Sequence, residues 1–108
     1  MMDELLASFM PRFKAAATVR LARSIELAQR RDHADATEIA RAMHAVAGEA
    51  GLLGLTAIVP LARAGEEHAK RLRTSRNDSD ADALLASLTE LQRAIELVPS
   101  PQPKGPHE

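Results

Sequence analysis

Four histidines, at positions 33, 44, 68 and 107, are the side chains of this 108-residue chain best suited to nucleophilic or proton-transfer chemistry at neutral pH. An imidazole titrates near pH 6.5, so its neutral form carries a free lone pair without any activating base. The chain has no Cys, which excludes disulfides, thiolate zinc sites and a Cys nucleophile. Ser8, Ser24, Ser75, Ser79, Ser87 and Ser100 fall in helix, turn or tail contexts with no nucleophile elbow, so hydrolytic catalysis has no support. A metal site needs convergent His and carboxylate ligands, yet the histidines fall on different elements and only Glu67 and His68 adjoin. Glu66 and Glu67 read as a solvated helix face rather than a carboxylate pair for acid-base work.

His44 is the histidine with unusual surroundings. With Ile39 at zero on a helical wheel and about 100° per residue, Met43, Val46, Ala50 and Leu53 fall within roughly 40° and define a core side. His44 lands at about 140°, with Thr37, Ala40, Ala47, Gly48 and Gly51 around it and Arg41 at about 200°. The ring is therefore expected to face away from the core. Each Gly inside a helix costs about 0.5–1 kcal/mol relative to Ala, and outward-facing glycines gain no core packing in return. A strip stripped of side chains around a protruding imidazole would let another protein bring an electrophilic atom to a ring nitrogen. An exposed His on an Ala-rich helix, with glycines that ease helix crossing or fray the helix end, is the plainer alternative.

The elements that must position this residue are all helical. Aromatic content is 2%, with only Phe9 and Phe13 and no Trp or Tyr, so Leu, Ala, Ile, Val and Met must build the core. Asp3–Met10 reads as a short leading helix, after which Pro11 either breaks it or opens the next at its first turn, and Arg12 to about Arg31 as a long amphipathic one with Phe13, Ala17, Leu21, Ser24, Ile25 and Ala28 on one side. Asp35 and Glu38 have the spacing of a capping box, which predicts a helix from near Ala36 to about Leu52, with Gly51 and Gly54 allowing a turn. A fourth helix follows from about Leu55, with Ile58, Ala62, Gly65, Ala69 and Leu72 on one stripe and Pro60 early in it, where a proline costs little. Ser79 is the expected cap of the last helix, whose stripe is Leu84, Leu88, Leu91, Ile95 and Val98. No strand signal occurs. The expected fold is all-α: an up-and-down antiparallel four-helix bundle with a short additional N-terminal helix over residues 1–98, followed by a Pro-rich disordered tail at 99–108.

A formal net charge of −1 and the lack of stacking aromatics exclude nonspecific binding to nucleic acid or to an anionic membrane. The least charged stretch, 50–62, is interrupted by Gly51, Gly54 and Pro60 and falls short of the roughly 20 residues that span a bilayer. With no basic region before an apolar run at the N-terminus, a cytoplasmic monomer is the simplest expectation.

The run from His44 through Gly48, Leu53, Gly54, Ile58 and Ala62 to Glu66 resembles the histidine-containing phosphotransfer (HPt) domain of bacterial phosphorelays. That family reads His-x-x-Lys-Gly, then Leu-Gly, then a hydrophobic residue, a small residue and a Glu at helical intervals. The resemblance implies that His44 carries a phosphoryl group between aspartates of receiver domains, in response regulators or hybrid histidine kinases. It implies a phosphocarrier rather than a true enzyme, binding no cofactor itself, with Mg²⁺ held by the partner. The docking face would comprise Gly48, Ala47, Arg41, Gly51, Ala40 and Thr37. The family's Lys is Ala47 here, so the positive charge for the phosphoryl group would come from elsewhere, with Arg41, Arg20 and Arg23 as candidates. Ala47 also leaves open a module of the same fold that docks on a receiver or kinase without being phosphorylated.

Overall fold

The computed structural model describes residues 2–99, with side chains from Ser8 onward. Four helices account for most of them: α1 (Met2–Gln29), α2 (Ala36–Leu52), α3 (Ile58–Ser75) and α4 (Asp78–Glu96), with a single 3₁₀ turn at His33–Asp35. No strand occurs among the described residues. The chain is thus an all-α bundle in which each helix packs on its neighbours in sequence and α4 closes on α1. The Pro-rich segment 100–108, and His107 with it, lies outside the described residues.

The expected separate N-terminal helix is not found, because α1 runs unbroken through Pro11. Proline removes one backbone bond and crowds the preceding turn at a cost of roughly 3 kcal/mol. Met10 and Phe13, on either side of it, both pack on the core, and that burial offsets the cost of the proline. Two caps also differ from expectation. α2 starts at Ala36, but Asp35 makes no side-chain cap. Instead Asp32 Oδ1 accepts from Ala34 N–H at 2.9 Å and opens the 3₁₀ turn ahead of the helix, while Glu38 is drawn away to Arg23. α4 is capped by Asn77, two residues before Ser79. The Asn77 Oδ1 accepts from Asp80 N–H at 2.9 Å, and Ser79 is left to donate its hydroxyl to the same oxygen.

The interior is aliphatic apart from Phe13. Phe13, Ala17, Leu21, Leu27 and Ala28 come from α1, Ile39, Met43, Val46 and Ala50 from α2, and Ile58, Ala62, Ala69 and Leu72 from α3. Leu84, Leu88, Leu91 and Ile95 of α4 complete it, with Val98 just beyond. Both ends of α4 are tied to α1 and the residues that follow it. Lys14 donates its Nζ protons to the Glu96 and Val98 carbonyls at 3.1 and 2.9 Å. At the other end Arg31 pairs with Asp82 at 2.9 Å and donates to the Asp78 carbonyl. The hydrogen bond to Asp82, reinforced by that carboxylate's charge, raises Arg31 above the ordinary guanidinium pKa.

The α2–α3 pair positions the residues of interest. α2 ends in a reversal built on Gly54, whose φ of 72° lies in the left-handed region. Gly54 N–H bonds the Gly51 carbonyl and Leu55 N–H the Ala50 carbonyl, the paired bonds of a Schellman motif. Pro60, third residue of α3, sits where no intrahelical donor is needed. The two helices then cross closely at Gly65. A Cβ there would lie 3.2 Å from Met43 Cγ and 3.3 Å from its Sδ, with Leu88 Cδ2 at 3.5 Å. Gly65→Val, whose two further methyls have no space, is expected to destabilise the bundle by about 1–3 kcal/mol, the usual cost of overpacking. Urea denaturation followed by circular dichroism measures this.

Candidate functional site

His44 stands mid-way along α2 with its side chain 73% exposed. Its Nδ1 lies 3.2 Å from Glu66 Oε2, across the α2–α3 crossing. Glu66 is not on a solvated face: its side chain is only 11% exposed, on the α3 surface that also carries Ala62, Gly65 and Ala69 into the core. The sequence reading of Glu66 is corrected accordingly. Glu67, one residue on, is exposed and does not share the site. An acid withdrawn from water requires partners for its oxygens. Glu66 Oε2 has two, the His44 ring and Lys70 Nζ at 3.4 Å, one turn further along α3.

A carboxylate can only accept, so this bond requires the proton on Nδ1. The tautomer, assigned from that hydrogen-bond geometry, leaves the lone pair on Nε2, the other ring nitrogen of a largely exposed side chain. The ring is thereby both oriented and electronically polarised by a buried acid, while the nitrogen with the lone pair is the one that Glu66 does not engage.

The face around His44 separates into two halves. Gly48 and Gly51 are exposed, as is Arg41, and Thr37 is half-buried. A Cβ at Gly48 would meet nothing within 4 Å, and one at Gly51 would only touch Val59 Cγ2 at 3.9 Å. The fold therefore gives no reason for glycine at 48. Ala47 and Ala40, in contrast, are 1% and 9% exposed and do not belong to the outward face. At roughly 80° and 100° on the wheel they occupy the shoulder between core and solvent, and α3 covers that shoulder. Their small size serves the helix crossing. On the open side Leu52 is 86% exposed, about 80° round from His44 and two turns further along; the core-oriented wheel did not single it out.

Of the expected alternative cations, Arg41 is exposed on the open face and makes no ion pair among the described residues, whereas the two on α1 are engaged elsewhere. Arg20 pairs with Glu49 at 2.8 Å. Arg23 pairs with Glu38 and Glu26, and the hydrogen bond to Glu38 in particular raises its pKa above the ordinary guanidinium value. The cation that reaches the Glu66 carboxylate on which His44 rests is Lys70, whose only sequence signal was its i,i+4 spacing from Glu66. His33 lies beside Asp32 at 3.7 Å and His68 is half-buried about 200° round α3 from Glu66, so neither joins the site. Among the described residues no group of three or more His, Asp or Glu side chains could hold a metal ion, and no helix is long and apolar enough to cross a membrane.

A family model described as the Hpt domain matches residues 4–98 of the chain. Neither the comparison with curated proteins nor that with solved structures returned a match.

Two outcomes follow from this geometry. Gly48→Ala is expected to raise the unfolding free energy by about 0.5–1 kcal/mol, since the new methyl meets open space and the helix loses a flexible residue; a loss of stability in urea denaturation would contradict it. In ¹⁵N-correlated imidazole spectra His44 is expected chiefly as the Nδ1–H tautomer, and Glu66→Ala to shift the population toward Nε2–H.

Proposed function

The chain belongs to the Hpt domain family, whose role is histidine phosphotransfer in phosphorelays, and from that premise we propose that His44 is the residue that accepts and returns the phosphoryl group. The observation that carries this reading is the pairing of the His44 Nδ1 with the buried Glu66 carboxylate, which leaves Nε2 with its lone pair at an exposed, side-chain-poor surface. The proposed donors and acceptors are aspartates of receiver domains, in response regulators or hybrid kinases, the partners with which Hpt domains typically interact. The same premise supports an up-and-down antiparallel order of the helices. The reach of Lys14 to the end of α4, and of Arg31 to its start, also favours that order.

In this mechanism the Nε2 lone pair attacks phosphorus in line with the aspartyl oxygen. The new N–P bond forms as the P–O bond to the aspartate breaks, and its electron pair leaves with the aspartyl carboxylate. The proton stays on Nδ1, so the product ring is a phosphorylated imidazolium. Glu66 faces that proton, and its negative charge stabilises the positive charge that the ring acquires. Return transfer reverses each step. The partner's acidic pocket and its Mg²⁺ would neutralise charge on the transferring group, and no residue of this chain is asked to hold the ion. Gly48, one turn beyond His44, gives the partner clearance. The chain acts as a monomeric carrier with no turnover of its own.

The test is to mix the protein with a phosphorylated receiver and look for an acid-labile, base-stable phosphate. Wild type is expected to acquire it and His44→Gln to acquire none. Gly48→Leu is expected to fold with at least wild-type stability while its transfer rate falls by about tenfold or more, the effect of losing close approach. Binding of the receiver without any phosphate on wild type would instead support the module that only docks, for which Ala47 in place of the family's Lys is the favouring observation.

A further inference from the structure

A phosphoryl group on Nε2 brings about two negative charges to a surface that already holds the Glu66 carboxylate. Like charges at such a distance oppose one another unless a cation attends them. On α2 the position three residues past His44 is the buried Ala47, so no cation is available there. Arg20 and Arg23 of α1 are paired with Glu49 and Glu38. Lys70, by comparison, already contacts the same carboxylate oxygen that the His44 ring uses, at 3.4 Å against 3.2 Å. The ammonium and the imidazole are therefore neighbours across one oxygen. Lys70 is about half exposed, its second contact, with Glu67, is loose at 3.9 Å, and an ammonium on a four-carbon stem has three donors and several rotatable bonds.

We propose that Lys70 of α3 is the phosphoryl-binding cation of this site, held on Glu66 while His44 is unmodified and engaging the phosphoryl oxygens once the N–P bond forms. The proposal rests on the assignment of His44 as the phosphorylated residue. It places the charge that the resemblance locates on the helix of the histidine on the opposite helix of the pair. No bond other than those of the transfer itself is made or broken: Lys70 Nζ exchanges one anionic acceptor for another, and Glu66 keeps the Nδ1 proton as its partner.

The experiment uses phosphoramidate, a small phosphoryl donor that needs no docking surface, on the 108-residue chain. Phosphohistidine formation and decay are followed by ³¹P NMR, and the His44 tautomer by ¹⁵N NMR. Lys70→Ala is expected to slow formation about five- to twentyfold, in keeping with one lost charge contact at a half-exposed site. It should move the ³¹P resonance of the phosphoprotein and leave the Nδ1–H tautomer in place. Lys70→Arg is expected to stay within about threefold of wild type, because the charge is retained. His44→Gln must remain unlabelled. If wild type is labelled at His44 and Lys70→Ala reacts as fast, the Lys70 assignment falls while the phosphorylation of His44 stands. A slowed Lys70→Ala whose tautomer has also shifted assigns Lys70 a role through Glu66 alone and overturns direct contact. A rate loss found in Arg41→Ala but not in Lys70→Ala overturns it as well. No label on wild-type His44 removes both readings.

Discussion

The close crossing of α2 and α3 is the constraint on which the site depends. It is possible because the shoulder of α2 carries Ala40 and Ala47, and the facing side of α3 carries Ala62, Gly65 and Ala69. At Gly65 the space is already so short that Met43 lies against the backbone. Such packing sets the interhelical distance to within a fraction of an ångström, since cores have little volume to yield. That distance decides whether an acid on α3 lies within hydrogen-bond reach of an imidazole on α2. A wider crossing would leave Glu66 with Lys70 as its partner and the ring without the acid that holds it.

The result is a residue that is exposed and yet held. An unrestrained surface histidine samples rotamers and both tautomers, so its reactive nitrogen is presented only part of the time. Here one ring nitrogen is fixed by a group that water reaches poorly, where electrostatic interactions are stronger than at an open surface. The other faces a strip where Gly48 and Gly51 carry no side chains. In the proposed transfer, binding energy from a partner need not be used to orient the ring. The open strip and the tight crossing lie on adjacent sides of the same helix, separated by the turn from about 80° to about 180° on the wheel.

Much of this was legible in the sequence. The stripes of α3 and α4 were readable because Leu, Ile and Ala recur at helical spacing, and every residue predicted for them is buried. On α1, Ile25 is only half-buried and Leu27 takes its place inside, a small rotation of the kind a periodicity over many alanines does not fix. Pro11 misled because a local rule about helix ends was outweighed by Met10 and Phe13 packing across it. The caps misled because several Asp, Asn and Ser residues compete near each start, and backbone geometry selects among them. His44 facing outward followed from the wheel, whereas Ala40 and Ala47 did not, because a wheel gives direction and says nothing of what lies opposite. Glu66 was visible as the Glu that ends the family-like run, but its burial, its pairing with His44 and the part of Lys70 were hidden for the same reason: they depend on how two helices meet.

The reversal at Gly54 has a consequence for how the molecule can vary. The donor, the acid and the cation all lie between positions 44 and 70, on two helices joined by a five-residue link. Closing so short a loop costs little chain entropy, and contacts of low sequence separation form early. The proposed site is thus contained in one helical hairpin, for which α1 and α4 cover the apolar side. Those two helices can diverge widely in surface character, provided they conserve interior volume, and the reactive geometry would be inherited intact.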